Sequence, residues 1–178
     1  MLGFARRLVA GFPHWQVVCI DLRCHGESAA LGLRGPHTLE AAAADVIALL
    51  SKLKLFPEML IGHSFGGKVV LQMTQAWSQA ARRVPRPVQV WVLDALPGEV
   101  RSGDMGGADR PADLISTLQD IRLPVTSRNW LTSKLEAAGF SRQVAIWAAT
   151  NLAPLPSSSD GGLGWGFDLA GIAQMFRC

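Results

Sequence analysis

The chain has few or none of several residue types and sequence features, and each scarcity argues against a class of structure or partner. It has no tyrosine, it has three cysteines, and none of its four histidines lies beyond residue 63 of 178. Three cysteines without metal-ligand spacing predict free thiols in a reducing compartment rather than a disulfide framework. No run of 18 apolar residues is present, so we expect no transmembrane helix. The net charge is only +3 and the basic residues are scattered, which argues against a nucleic-acid partner.

These absences predict a soluble intracellular protein. Its compartment would be the cytoplasm, or a plastid or mitochondrion if an N-terminal targeting part is missing. The hydrophobic fraction of 49% is typical of a globular chain with a buried core. Apolar β-branched runs alternate with helical patterns, which predicts an α/β protein with a mostly parallel sheet flanked by helices. The predicted elements are helices at 2–10, 39–53 (capped by Thr38) and 65–81, and strands at 16–21, 58–63 and 88–94.

The pentapeptide at residues 62–66, Gly-His-Ser-Phe-Gly, fits the pattern G-x-S-x-G. An apolar strand pattern enters it and a helical pattern leaves it, which is the context of a nucleophile elbow. In such an elbow Ser64 occupies a strained turn with its hydroxyl above the sheet edge, and the glycines allow close packing of strand and helix. The alternative interpretation is a glycine-rich turn between a core strand and a core helix.

The flanking segments extend this motif. Residues 21–28 read Asp-Leu-Arg-Cys-His-Gly-Glu-Ser, and the strand at 88–94 ends in Asp94. Together with the elbow, they resemble the α/β-hydrolase fold superfamily, in its esterase/lipase-like branch. The resemblance implies Ser64 as nucleophile, Asp94 as triad acid and the backbone N–H of Phe65 as an oxyanion donor. It implies a small-molecule ester or acyl substrate and no metal or organic cofactor.

The triad base is missing from the expected place. In this family the order along the chain is serine, acid, histidine, and no histidine follows Asp94. The elbow should turn the side chain of His63 away from Ser64, His25 matches a structural position of the family, and His14 and His37 suit loops. The first family strand, its glycine-rich loop with the second oxyanion donor, and the last two strands are also absent. We therefore expect a hydrolase that is truncated at both ends, with little or no activity by itself.

The predicted organisation is an incomplete hydrolase core at 1–96 and a helical cap or lid at 97–178. Flexible loops are expected at 98–111 and 154–166, with the linker-like serines 157–159 in the second. Helical patterns cover 112–120, 128–139, 141–149 and 168–176. The aromatic residues of this half favour an apolar acyl or alcohol group in the substrate: Trp130, Trp147, Trp165 and Phe167.

Other classes of function remain open. The chain could be a non-catalytic binding or regulatory module in which a pocket under the cap survives. It could also be an unstable fragment that folds only with a complementing segment or partner. A dinucleotide-binding fold is disfavoured, because the turn after the first strand, residues 23–28, lacks the G-x-G-x-x-G pattern.

Overall fold

The computed structural model describes residues 2–80, 86–98, 109–155 and 161–176. Helices dominate these ranges, and no helix within them is long and apolar enough to cross a membrane. The elements, in chain order, are α1 (Leu2–Gly11), α2 (Gly26–Ala29), α3 (Leu39–Lys52), β1 (Met59–His63), α4 (Phe65–Gln79), β2 (Gln89–Leu93), α5 (Pro111–Gln119), α6 (Arg128–Ala137), α7 (Arg142–Thr150), β3 (Leu152–Pro154), β4 (Leu163–Trp165) and α8 (Leu169–Met175).

Strands β1 and β2 form a two-stranded parallel sheet, as the sequence predicts. Met59 lies opposite Gln89, and His63 lies opposite Leu93. Helix α4 is the crossover between the strands and contacts both of them. Because the strands are parallel and in this register, their carboxyl ends meet at one edge of the sheet, where Ser64 and Asp94 follow.

The predicted strand at 16–21 is wrong. The segment runs from residue 15 to residue 22 without secondary structure, and Val18 in it is 56% exposed. In the part of the chain that the structure describes, the parallel sheet consists of β1 and β2, and residues 16–21 form a ladder of hydrogen bonds with neither strand. A β-rich composition cannot by itself make a strand when the pairing partner is absent.

Helices α3 and α4 pack together in the first hydrophobic cluster, and Leu60 of β1 packs against it. Helix α3 begins where the Thr38 hydroxyl accepts a hydrogen bond from the Ala41 N–H at 3.1 Å, so the predicted cap is confirmed. Glu40 in its first turn and Lys52 in its last complement the helix dipole. The buried members of this cluster are Ala42, Ala43, Val46, Leu50, Val69, Met73 and Trp77.

A second hydrophobic cluster gathers α5, α6, α7 and the start of α8. The predicted helices at 112–120, 128–139 and 141–149 are confirmed as α5, α6 and α7. Serine side chains cap the N-termini of α6 and α7. The Ser127 hydroxyl accepts a hydrogen bond from the Trp130 N–H, and the Ser141 hydroxyl accepts one from the Val144 N–H. The buried residues are Leu114, Leu118, Val125, Leu131, Leu135, Phe140, Ala145, Ala148, Ala149, Leu152 and Leu169.

The loop predicted at 154–166 is partly wrong. Strands β3 and β4 form an antiparallel pair, with Ala153 opposite Gly164. Gly164 fits because a Cβ there would lie 2.6 Å from the Leu155 side chain. Residues 156–160, with the predicted serine linker, and residues 99–108 of the other predicted loop lie outside the described residues. The division at residues 96 and 97 stays a prediction.

The first helix is also packed differently from the expectation. The helical pattern of residues 2–10 predicts partial burial of Leu2, Phe4, Leu8 and Val9. Leu8 is half-buried as predicted, but the other three are exposed, Leu2 by 58%, and Ala5 is the buried residue of α1. The apolar face of α1 therefore meets little of the described structure. The short helix α2, after the turn at residues 23–25, has no distinctive sequence pattern and was not predicted.

Candidate active site

Ser64 occupies a sharp turn between β1 and α4. Its backbone has φ 52° and ψ −120°, a region that a residue with a Cβ adopts only when the surroundings impose it. The Ser64 N–H donates to the Leu93 carbonyl at 2.8 Å, and the Gly67 N–H donates to the Ser64 carbonyl at 2.8 Å. Its side chain makes no capping bond to α4 and is exposed. The hydroxyl is thus presented to solvent, which is the geometry of a nucleophile elbow.

Glycines allow the backbone to pack closely under this turn. Of the two motif glycines, only Gly62 is crowded, and the second crowded glycine is Gly67, which follows the motif. A Cβ on Gly62 would collide with the Gly66 carbonyl and lie 2.7 Å from the Gly67 nitrogen. A Cβ on Gly67 would lie 2.8 Å from the Ala95 side chain and 3.1 Å from that of Val92. Gly66 has nothing within 4 Å of its Cβ position. Gly62 and Gly67, rather than Gly62 and Gly66, therefore set the close approach of strand and helix.

Phe65 begins helix α4 directly after the serine. As a first-turn residue its N–H has no acceptor within the helix, and it lies at the positive end of the helix dipole. Its ring lies between two others, with centroid distances of 6.0 Å to His25 and 6.3 Å to Phe176. This stack holds the residue whose backbone N–H is the predicted oxyanion donor.

Asp94 follows β2 beside Ser64 at the carboxyl edge of the sheet. It too has a positive φ, of 52°. Its carboxylate is 90% exposed, and its Oδ2 lies 3.8 Å from Nε2 of His63, which is 52% exposed. The expectation that the elbow turns the His63 side chain away from Ser64 stays a prediction. The structure brings this imidazole next to the predicted acid, Asp94.

The remaining histidines lie in three different settings. Nδ1 of His25 lies 2.8 Å from the Arg23 carbonyl, which agrees with the structural role that the family resemblance implies. His14 is exposed after α1. His37, expected to be a simple loop residue, lies against the buried thiol of Cys24.

The cap aromatics fall into two pairs. Trp130 and Trp147 are exposed, on α6 and α7 respectively. Trp165 and Phe167 contact each other with ring centroids 5.7 Å apart and pack against the second hydrophobic cluster. A pocket beside α3, lined by Leu22, Leu31, Val46 and neighbours, includes neither Ser64 nor Asp94.

A parallel strand pair joined through a strained serine elbow, with an acid at the adjacent strand end, is typical of the core of the α/β-hydrolase fold. The chain belongs to the alpha/beta hydrolase family, whose model matches residues 2–176. The resemblance stated from the sequence motifs is thereby confirmed.

Relatives and solved structures agree with this family. The chain is 30% identical over 168 residues to the sn-1-specific diacylglycerol lipase ABHD11 of Danio rerio, covering 89% of this chain and 46% of that protein. It is 39% identical over 61 residues to a putative esterase/lipase of Haemophilus influenzae, covering 34% and 20% of the two chains. A marine microorganism esterase matches 76% of this chain and 48% of its own, with TM-score 0.60 at 20% identity. The chain spans about half or less of the length of each of these relatives.

Proposed function

We propose that this protein is a serine hydrolase that cleaves a carboxylic ester through an acyl-enzyme on Ser64. The observation that carries the proposal is the strained backbone of Ser64 (φ 52°, ψ −120°) with its exposed, uncapped side chain. A strained nucleophile is retained where the reaction needs its hydroxyl above the sheet, since an ordinary turn would cost less. The alpha/beta hydrolase membership and the esterase and lipase relatives support the same chemistry.

The proposed reaction uses the groups at the sheet edge. Ser64 Oγ attacks the ester carbonyl carbon, and negative charge develops on the carbonyl oxygen near the Phe65 N–H. The base takes the hydroxyl proton of Ser64 and gives it to the departing alcohol. It then takes a proton from the water that hydrolyses the acyl-enzyme, which releases the carboxylic acid and returns the serine. Asp94 has the role of the acid that orients and stabilises the protonated base. The lipase relative and the exposed Trp130 and Trp147 favour an ester with an apolar acyl chain.

The rate of this chain by itself should be low, because no histidine follows Asp94 in the sequence. An enzyme that lacks a triad member retains only roughly 10³–10⁴-fold catalysis over water, supplied by binding and the oxyanion donors. We propose that a base from a longer form of the chain completes the site. His63, 3.8 Å from the Asp94 carboxylate, is the imidazole available for residual activation.

The test is labelling of the purified chain with a fluorophosphonate, which reacts only with an activated serine. Ser64→Ala should abolish labelling, and Ser78→Ala, at an exposed serine of the same helix, should leave it unchanged. His63→Gln should reduce labelling if this imidazole activates the serine. Circular dichroism on each sample reports whether the chain is folded. Equal labelling of the wild type and Ser64→Ala would contradict the proposal.

A non-catalytic binding module is the second candidate. The 90% exposure of the Asp94 side chain favours it, since a triad acid ordinarily works in a shielded site. A cooperatively folded chain that is never labelled, yet binds an apolar ester without turnover, would support this alternative.

A further inference from the structure

Three metal-ligating side chains from distant parts of the sequence meet where residues 24–37 contact the segment before α8. Cys24, His37 and Asp168 each offer one ligand atom, and these atoms all lie within 4.8 Å of one another. The Cys24 Sγ is 3.3 Å from Nδ1 of His37. Cys24 is 3% exposed, and the other two residues are half-buried. We propose that these three side chains form a zinc site, which the hydrolytic reaction proposed above does not use.

The donor set selects the metal. A thiolate, an imidazole and a carboxylate are the sulfur, nitrogen and oxygen ligands that borderline-soft Zn²⁺ accepts, whereas Mg²⁺ and Ca²⁺ prefer oxygen alone. Thiolate and carboxylate together carry two negative charges, which one Zn²⁺ neutralises. The Arg23 guanidinium, which acts electrostatically on the Cys24 thiol, is paired with Asp45 at 2.7 Å and with the Pro36 carbonyl at 2.7 Å.

Hydrogen bonds already hold each ligand. The Asp168 N–H donates to the Cys24 carbonyl at 2.8 Å, and Oδ1 of Asp168 accepts from the Gly171 N–H at 3.0 Å. The backbone N–H of His37 donates to Oε1 of Gln174 at 3.2 Å. Such outer contacts orient metal ligands and strengthen binding. They also mean that little conformational freedom is lost when an ion enters.

The separations suit a tetrahedral ion after a small adjustment. Zinc bonds of about 2.0–2.3 Å put neighbouring ligand atoms about 3.5 Å apart. The Cys24–His37 distance of 3.3 Å is near that value, and the widest separation must close by about 1 Å. The glycine at position 171 leaves space beside the ligand atoms, because a Cβ there would collide with the Cys24 Sγ and lie 2.7 Å from Oδ2 of Asp168. Water would complete the fourth position.

Zinc binding requires loss of the thiol proton. Burial, with the neighbouring Asp168 carboxylate, raises the pKa of the Cys24 thiol to about 11, so the metal-free thiol is protonated at neutral pH. On binding, the Cys24 S–H bond breaks, a Zn–S bond forms and one proton leaves to the buffer. Because residues 24, 37 and 168 are joined by the ion, zinc should stabilise the folded chain against unfolding.

The experiment titrates the purified chain with Zn²⁺, and with Co²⁺ as an optical probe of thiolate ligation. We expect one equivalent, a cobalt–thiolate absorption band, and a melting temperature that rises with zinc and not with Mg²⁺. His37→Gln and Asp168→Asn should each weaken zinc binding at least tenfold. Asp168→Asn is informative because asparagine still caps α8 and preserves the fold. Cys24→Ser should remove the cobalt band.

Cys19→Ser is the matched control, since Cys19 is an exposed free thiol nearby in sequence. It should bind zinc as the wild type does. Binding that is lost in Cys19→Ser, or that is unaffected by both His37→Gln and Asp168→Asn in folded protein, would overturn the proposal. The fluorophosphonate test addresses Ser64 alone, so the zinc site and the hydrolase proposal fail independently.

Discussion

Replacing Gly62 by alanine should disrupt the nucleophile elbow far more than the same replacement at Gly66, although both glycines belong to the motif. A methyl group on Gly62 would collide with the Gly66 carbonyl and lie 2.7 Å from the Gly67 nitrogen. These are backbone atoms at the start of α4, so they cannot rotate aside as a flexible side chain could. Strand β1 and helix α4 would have to separate, and α4 contacts both strands and α3.

The size of the effect follows from this geometry. Overpacking a tight contact by one methyl group typically costs about 1–3 kcal/mol. At Gly66 nothing lies within 4 Å of the added carbon, and its φ is not in the left-handed region. Alanine there should be neutral or should stabilise the chain by up to about 1 kcal/mol, because it favours helix and restricts the unfolded chain. The two variants should therefore differ in the free energy of unfolding by about 1–4 kcal/mol.

Urea denaturation followed by circular dichroism measures this difference, and fluorophosphonate labelling measures the elbow directly. Gly62→Ala should lower the denaturation midpoint and lose labelling, whereas Gly66→Ala should retain both. Gly67→Ala, with its contact to Ala95, should resemble Gly62→Ala. Equal destabilisation at Gly62 and Gly66 would refute the reasoning, because it would mean that the motif glycines matter through backbone freedom rather than close approach.

Two further predictions concern the turn that contains Arg23 and Cys24. Arg23→Lys should lower the free energy of unfolding, measured by urea denaturation, by about 1–2 kcal/mol. Lysine cannot keep both hydrogen bonds to Asp45, at 2.7 and 2.9 Å, together with the one to the Pro36 carbonyl. An unchanged free energy of unfolding would contradict this pairing. In metal-chelated samples the free energy of unfolding should fall as pH rises above 9, because the unfolded thiol ionises at about 9.0 while burial keeps the pKa of Cys24 at about 11. With no tyrosine in the chain, thiolate absorbance in a variant with Cys24 as its sole cysteine measures this directly, and a native midpoint at or below 9 would be inconsistent with the buried thiol.

Local patterns in the sequence were enough for most of the architecture. The elbow at Ser64, the strands on either side of α4, and the Thr38 cap each depend on residues within one turn or strand, so the sequence predicts them directly. The segment at 16–21 has the same apolar β-branched character but pairs with neither β1 nor β2, and composition alone does not reveal whether a strand finds its partner. The β3–β4 pair was missed for the opposite reason, since glycine and proline obscure its two short strands.

The sequence by itself determined the family, and it predicts Ser64 as the nucleophile and Asp94 as the acid, because the motif order that carries them is local and linear. Only the tertiary structure decided which glycine is crowded, since Gly67 meets Ala95 across a helix and a strand. The same holds for His63 beside Asp94 and for the meeting of Cys24, His37 and Asp168. Side chains that lie far apart in sequence come close together only when the tertiary fold packs their elements against each other, and spacing along the sequence does not specify that packing.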